Sequence, residues 1–173
     1  MDRTPALFLS LALAATVPAQ AGECRSALRP LLLTATPDLQ ALAGVRGLCQ
    51  READAGDADS LYQLALTHLG LAGDWQPDVA IPMIRDAAAA GVPEAQYWLA
   101  WQYEAGPLLP NDRASALGWY QRAANANHRL ANGRLARAYE AGELGLAPDA
   151  LKATEYKARE ARCLKKEREQ SGG

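Results

Sequence analysis

The stretch AQYWLAWQYEAG, from Ala95 to Gly106, places apolar and small residues at helical spacing, with Ala95, Leu99 and Tyr103 on one face. The same pattern occurs twice more. SLYQLALTHLGLAG from Ser60 and ANGRLARAYEAG from Ala131 align Ser60 with Ala95 and Ala131, and Leu64 with Leu99 and Leu135. Ala65, Ala100 and Ala136 follow, then His68, Tyr103 and Tyr139. Gly106 matches Gly142, and Gly73 matches them after a two-residue shift. The period is about 35 residues, which marks a repeat architecture.

A second helical segment follows each of these. DVAIPMIRDAAAAG begins at Asp78, DRASALGWYQRAAN at Asp112 and DALKATEYKAREAR at Asp149. Each opens on an aspartate, read as a helix N-cap. The glycine after each first helix is read as a left-handed C-cap. Each repeat is therefore two antiparallel helices, and neighbouring repeats stack to share a core.

The pattern A-x-x-x-L-A-x-x-Y-x-x-G, a loop, then D-x-x-x-A-x-x-W-Y-x-x-A-A closely resembles the Sel-1-like repeat, a relative of the tetratricopeptide repeat. Ala95, Leu99, Tyr103, Gly106, Asp112, Ala116, Trp119, Tyr120, Ala123 and Ala124 carry the clearest copy. The resemblance implies an all-α, right-handed solenoid of antiparallel helix pairs, over three repeats at about 55–89, 90–124 and 125–161. Repeat one departs from the pattern, with Pro82 at an alanine position and Arg85-Asp86 in place of Trp-Tyr. Pro82 lacks an amide donor and is expected to kink or delay that helix.

Residues 22–54 read as a capping helical pair, with Thr36-Pro37 as cap and first position of the second helix. Residues 162–173 read as the charged end of the last helix and a fraying tail. Its acids interleave with its bases, and Glu155 lies four residues before Arg159.

Composition adds little to the fold and something to location. The net charge of -2 gives no reason to expect nucleic-acid binding. Residues 1–21 read as a signal peptide: Arg3, an apolar run from Ala6 to Val17, Pro18, and Ala19-Gln20-Ala21 before a start at Gly22. Glu23 before Cys24 is wrong for lipoprotein processing. A periplasmic or secreted protein, not embedded in the membrane, is expected.

In that oxidising setting two of the 3 cysteines should pair. Cys24 with Cys49, in the same helical pair, is the natural choice, and the closed loop would contribute roughly 3–4 kcal/mol. Cys163 is left for burial, for another chain, or for either of the first two, since three cysteines leave connectivity open.

Trp98 and Trp101 lie roughly 130° from the centre of the packing face of their helix. Their equivalents are Gln63 and Leu66 in repeat one, and Arg134 and Arg137 in repeat three. Stacking would set these six residues in a ladder. In the superfamily the first helices line the concave surface, so the resemblance implies that the ladder faces a groove. Aromatics and arginines anchor interfaces, which points to a protein or peptide partner carrying an apolar group beside an acid. Packing between neighbouring first helices is the competing use of the indoles. Trp119 and Tyr120 occupy core positions of the pattern, and Trp75 falls in a loop.

The chain has 2 histidines. His68 holds a packing tyrosine's place and His128 opens a helix. HExxH, CxxC, GxSxG and phosphate-loop motifs are missing. Asp54, Asp57 and Asp59 suit a helix N-terminus without a metal. No cofactor, metal or catalytic residue is expected. The leading expectation is a non-enzymatic adaptor, regulator or inhibitor, with an immunity-type toxin neutraliser among the family's exported roles. The alternative is a cell-wall or β-lactam enzyme of the cysteine-rich kind, whose one-disulfide-per-repeat pattern this chain lacks. A structural part bridging chains through Cys163 is a third possibility.

Overall fold

The computed structural model describes residues 22–34, 38–70 and 75–171. Over these the chain forms eight helices: α1 (Glu23–Leu32), α2 (Leu39–Asp54), α3 (Ala58–Thr67), α4 (Pro77–Ala89), α5 (Pro93–Ala105), α6 (Arg113–Asn125), α7 (Arg129–Ala141) and α8 (Ala150–Ser171). The signal peptide expected at residues 1–21, together with Thr36, Pro37, Gly73, Gly172 and Gly173, lies outside the described residues.

Each helix packs on the next along the chain, and α1 also reaches α3. This near-linear connectivity is that of a solenoid, in which each unit buries its apolar face against its neighbours. Ala65, Ala80, Ala87, Ala88 and Ala95 surround Ile84 and Leu99 in one core cluster. Ala100, Ala116, Ala123, Ala124 and Ala131 surround Tyr120 and Leu135 in the next. Small side chains at the crossings bring helix axes close, and the few large ones fill the remaining space.

One hydrogen bond recurs in every repeat. The carbonyls of His68, Tyr103 and Tyr139 accept from the amides of Gln76, Asp112 and Asp149, at 2.8, 2.8 and 2.7 Å. The Asp112 and Asp149 carboxylates then accept from the first free amides of α6 and α8, as an N-cap should.

In repeat one the equivalent residue is Gln76, which corrects the sequence register. Pro77, with its φ preset and no amide to satisfy, starts α4 before Asp78 can cap it. The alignment moves by two residues. Ala80, not Pro82, takes the buried place of Ala116 and Ala153. Met83-Ile84 replaces Trp119-Tyr120, while Arg85 and Asp86 are exposed. Pro82 sits inside α4 on its exposed side and does not delay the helix. Repeat one thus follows the family pattern more closely than the aspartate alignment suggests.

The helix ends also differ from expectation. Gly142 is left-handed, with φ 70°, and a Cβ there would press on Pro148. Gly106 is extended, with φ -75° and ψ 156°. It is needed for a different reason: the Gln102 side chain folds over it to accept from Leu108 N at 3.1 Å, and a Cβ would collide with Gln102.

At the amino-terminal end, α2 begins at Leu39 behind an Asp38 N-cap, so Thr36 and Pro37 precede it. Cys24 and Cys49 form a disulfide with Cα atoms 4.8 Å apart, and both are fully buried. Beside it lies Glu52, only 1% exposed. Its carboxylate accepts from Cys24 N at 3.2 and 3.3 Å and from the Ser60 hydroxyl. The positive end of α1 and the first turn of α3 together neutralise a charge that would be costly if buried alone.

At the other end, Arg159 donates to Ala124 O at 3.1 Å and lies over Tyr156. It ties α8 to the carboxyl end of α6, a use that the expected pairing with Glu155 did not anticipate. Cys163 is a free, half-buried thiol donating to Asn127 O at 3.1 Å.

Candidate functional site

Side chains link the first helices α3, α5 and α7 from repeat to repeat, and α1, which packs on α3, joins them at the amino-terminal end. Arg25 on α1 donates to Asp59 on α3 (Nε to Oδ2, 2.8 Å) and to Glu94 on α5 (3.4 Å). Tyr97 on α5 stacks on His128 at the start of α7, with ring centroids 4.6 Å apart. Arg134 on α7 grips Glu104 on α5, its Nε lying 2.9 and 3.1 Å from the two carboxylate oxygens.

The six residues of the expected ladder divide between the interior and the surface. Gln63 is 7% exposed and borders a cavity of about 260 Å³ with Arg25, Arg29 and Glu94. Leu66 and Trp98 pack against the first core cluster. Arg134 has only 14% of its side chain exposed. Trp101, at 44% exposure, and Arg137 face outward. A helical wheel treats each first helix as covered on one face. In the stack it is flanked by its own partner and by helices of neighbouring repeats, so the outward arc is narrower.

Glu104 organises the polar part of this wall. It accepts from Arg134 and, at 2.7 Å, from the Tyr120 hydroxyl. Burial alone would raise its pKa, but the hydrogen bonds from Arg134 and Tyr120, reinforced by the charges of Arg134 and Arg137, hold it below the usual value. Burial, then the hydrogen bond to Glu104, pushes the Tyr120 phenol upward.

Arg134 Nη1 also lies 2.7 Å from Glu143 Oε2. That contact is an ion pair whose N–H···O direction is poor, so Glu143 gives this nitrogen at most a weak hydrogen bond. Glu143 sits in a loop whose flanking residues are left-handed: Gly142 at φ 70°, Leu144 at 56° and Gly145 at 78°. Leu144 tolerates this because its side chain is buried in the second core cluster. Together with Ala105, Asn111 and Arg113, these residues line a cavity of about 520 Å³.

Sequence reasoning missed Arg25, Arg29, Glu104, Tyr120 and Glu143 as parts of this wall. Arg25 and Arg29, four apart on one helix face, carried a readable signal. Glu104 did not, because its partner is 30 residues away on another helix. The aspartates near α3 have structural uses: Asp57 caps α3, Asp54 accepts from Gln50, and Asp59 pairs with Arg25. His68 is half-buried at the end of α3, 3.1 Å from Arg46 Nη2. Among the described residues no group of three or more His, Cys, Asp or Glu side chains could hold a metal ion.

Paired helices that each pack on the next along the chain, with side chains bridging the first helices, define an α-solenoid repeat protein. A scan against models of protein families and a search of curated proteins both found no match. Among solved structures, the chain is similar to a Sel1 repeat protein from Oxalobacter formigenes. The TM-score is 0.62 at 36% identity, covering 66% of this chain and 86% of that one. It is also similar to a protective antigen present in uropathogenic Escherichia coli strains that displays an SLR fold. There the TM-score is 0.66 at 24% identity, covering 83% of this chain and 31% of that one, so that likeness is one of fold. The chain belongs to the Sel1 repeat family.

Proposed function

We propose that the protein is an exported, non-enzymatic interaction module that holds a protein or peptide partner against the wall of its first helices. One observation carries this reading. Trp101 turns 44% of its surface outward on α5, while Arg137, its equivalent one repeat on, is exposed on α7. An exposed indole and an exposed guanidinium at equivalent positions of successive repeats suit a partner presenting an apolar group and a carboxylate. Stacked helix pairs create extended binding surfaces of this kind. The disulfide supports export, because such bonds persist in oxidising compartments. None of the described helices is long and apolar enough to cross a membrane.

The test is affinity capture from an envelope extract, comparing wild type with Trp101→Ala and Arg137→Ala, and with exposed Arg162→Ala as control. Retention of the partner should fall about thirtyfold or more for Trp101→Ala, the range of an interface hot spot. Helix content should stay unchanged in all three. Unaltered retention by both test variants would rule the reading out.

A further inference from the structure

The cavity between the carboxyl ends of α5 and α7 holds a guanidinium whose charge is answered twice but whose hydrogen bonds are incomplete. Glu104 takes Nε and Nη2 of Arg134. Glu143 sits beside Nη1 off the hydrogen-bonding direction. Resting on the reading of the first-helix wall as a docking surface, we infer that this cavity is an exchange site for a carboxylate. An acidic group of the partner takes the place of Glu143 on Arg134.

Three features of the site support the exchange. The Glu143 side chain is 50% exposed, so its pairing with Arg134 is screened by solvent and its carboxylate is hydrated again when it leaves. Its backbone need not move, because Leu144, the next residue, is anchored in the core. With Glu143 turned to solvent, the cavity walls keep Arg134 and Arg113 against Glu104 alone, a positive balance of one charge. A carboxylate that takes the place of Glu143 in line with an N–H of Nη1 would make a stronger bond than Glu143 makes. Arg113, exposed at the N-terminus of α6, can take its second oxygen. A second acid of the partner, besides the one that meets Arg137, therefore belongs here, at the carboxyl end of the helix that carries Trp101.

Glu143 is then an internal competitor, which gives the test an unusual sign. The probe is sodium acetate, titrated into the full protein at constant ionic strength and followed by NMR of the backbone amides and the Arg134 Nε–H. Acetamide serves as the neutral control. Acetate should shift Glu143, Leu144 and Arg134 saturably, and acetamide should not. Glu143→Gln should tighten acetate binding about two- to fivefold, the range of an exposed ion pair. Arg113→Ala should weaken it by a similar factor. Urea unfolding confirms that both variants fold.

Glu143→Gln binding acetate no more tightly than wild type overturns the exchange. So do equal shifts with acetamide, or no saturable shift in any of the three proteins. These outcomes leave the docking wall itself to be judged on Trp101 and Arg137, which the acetate titration does not use.

Discussion

Breaking the Cys24–Cys49 bond should loosen one end of the solenoid and leave the other intact. The two cysteines are 25 residues apart in sequence. Closing a loop of that size removes about 12 cal/mol/K from the unfolded chain, or about 3.5 kcal/mol at 25 °C. Cys24→Ala/Cys49→Ala is the cleaner double variant. Both sites are fully buried, and serine would add hydroxyls without partners. Reduction of the wild-type protein checks that the effect comes from the bond and not from lost volume. Without the tether, α1 is held by its fully buried Leu28, by Glu52 on the Cys24 amide and by Arg25 on Asp59 and Glu94. Stability in a solenoid is close to a sum over neighbours, so the loss should fall on α1 to α3. Urea unfolding followed by circular dichroism gives the total, and hydrogen exchange gives its distribution. An unchanged urea midpoint would refute the entropy argument. Equal loss of protection in α7 and α8 would refute the nearest-neighbour argument.

The Glu104–Arg134 pair links repeats two and three, and a double-mutant cycle of Glu104→Gln with Arg134→Gln should give a coupling of about 1–2 kcal/mol in urea unfolding. His128 caps α7 by accepting from Ala131 N through Nδ1 at 3.3 Å, and burial, opposed by Glu94 and Glu167 and aided by Arg129, holds its pKa below 6.5. The unfolded state then binds the proton more readily. Stability is fully present above about pH 6.5 and falls as pH drops through the lower folded value. His128→Asn keeps a cap and should abolish that slope in unfolding measured from pH 7.5 to 5. Gly142→Ala forces a side chain into a left-handed residue against Pro148, and should lower stability by about 1 kcal/mol or more.

Much of the fold was legible in the chain because helical periodicity and the repeat are carried by neighbouring residues. Leu64, Leu99 and Leu135 were placed in the core from spacing alone, and all three are buried. The pairing of Cys24 with Cys49 followed from their sharing one helical pair. Asp112 and Asp149 were identified as caps because an N-cap acts on amides two or three residues ahead. The same rule misplaced repeat one, where Pro77 starts the helix ahead of Asp78.

What the tertiary structure decided was which side chains on each helix remained available. Trp98 and Trp101 look alike in sequence, three residues apart on one helix. Stacking seats the first against the core and leaves the second outward. Arg134 and Arg137 look alike too, yet Glu104 from another helix and Glu143 from a loop form ion pairs with the first. The second stays exposed and acts on Glu104 through its charge. Periodicity is a property of one helix and is written in its own residues. Exposure and ion pairing depend on the distance between helices that meet only after the stack has formed.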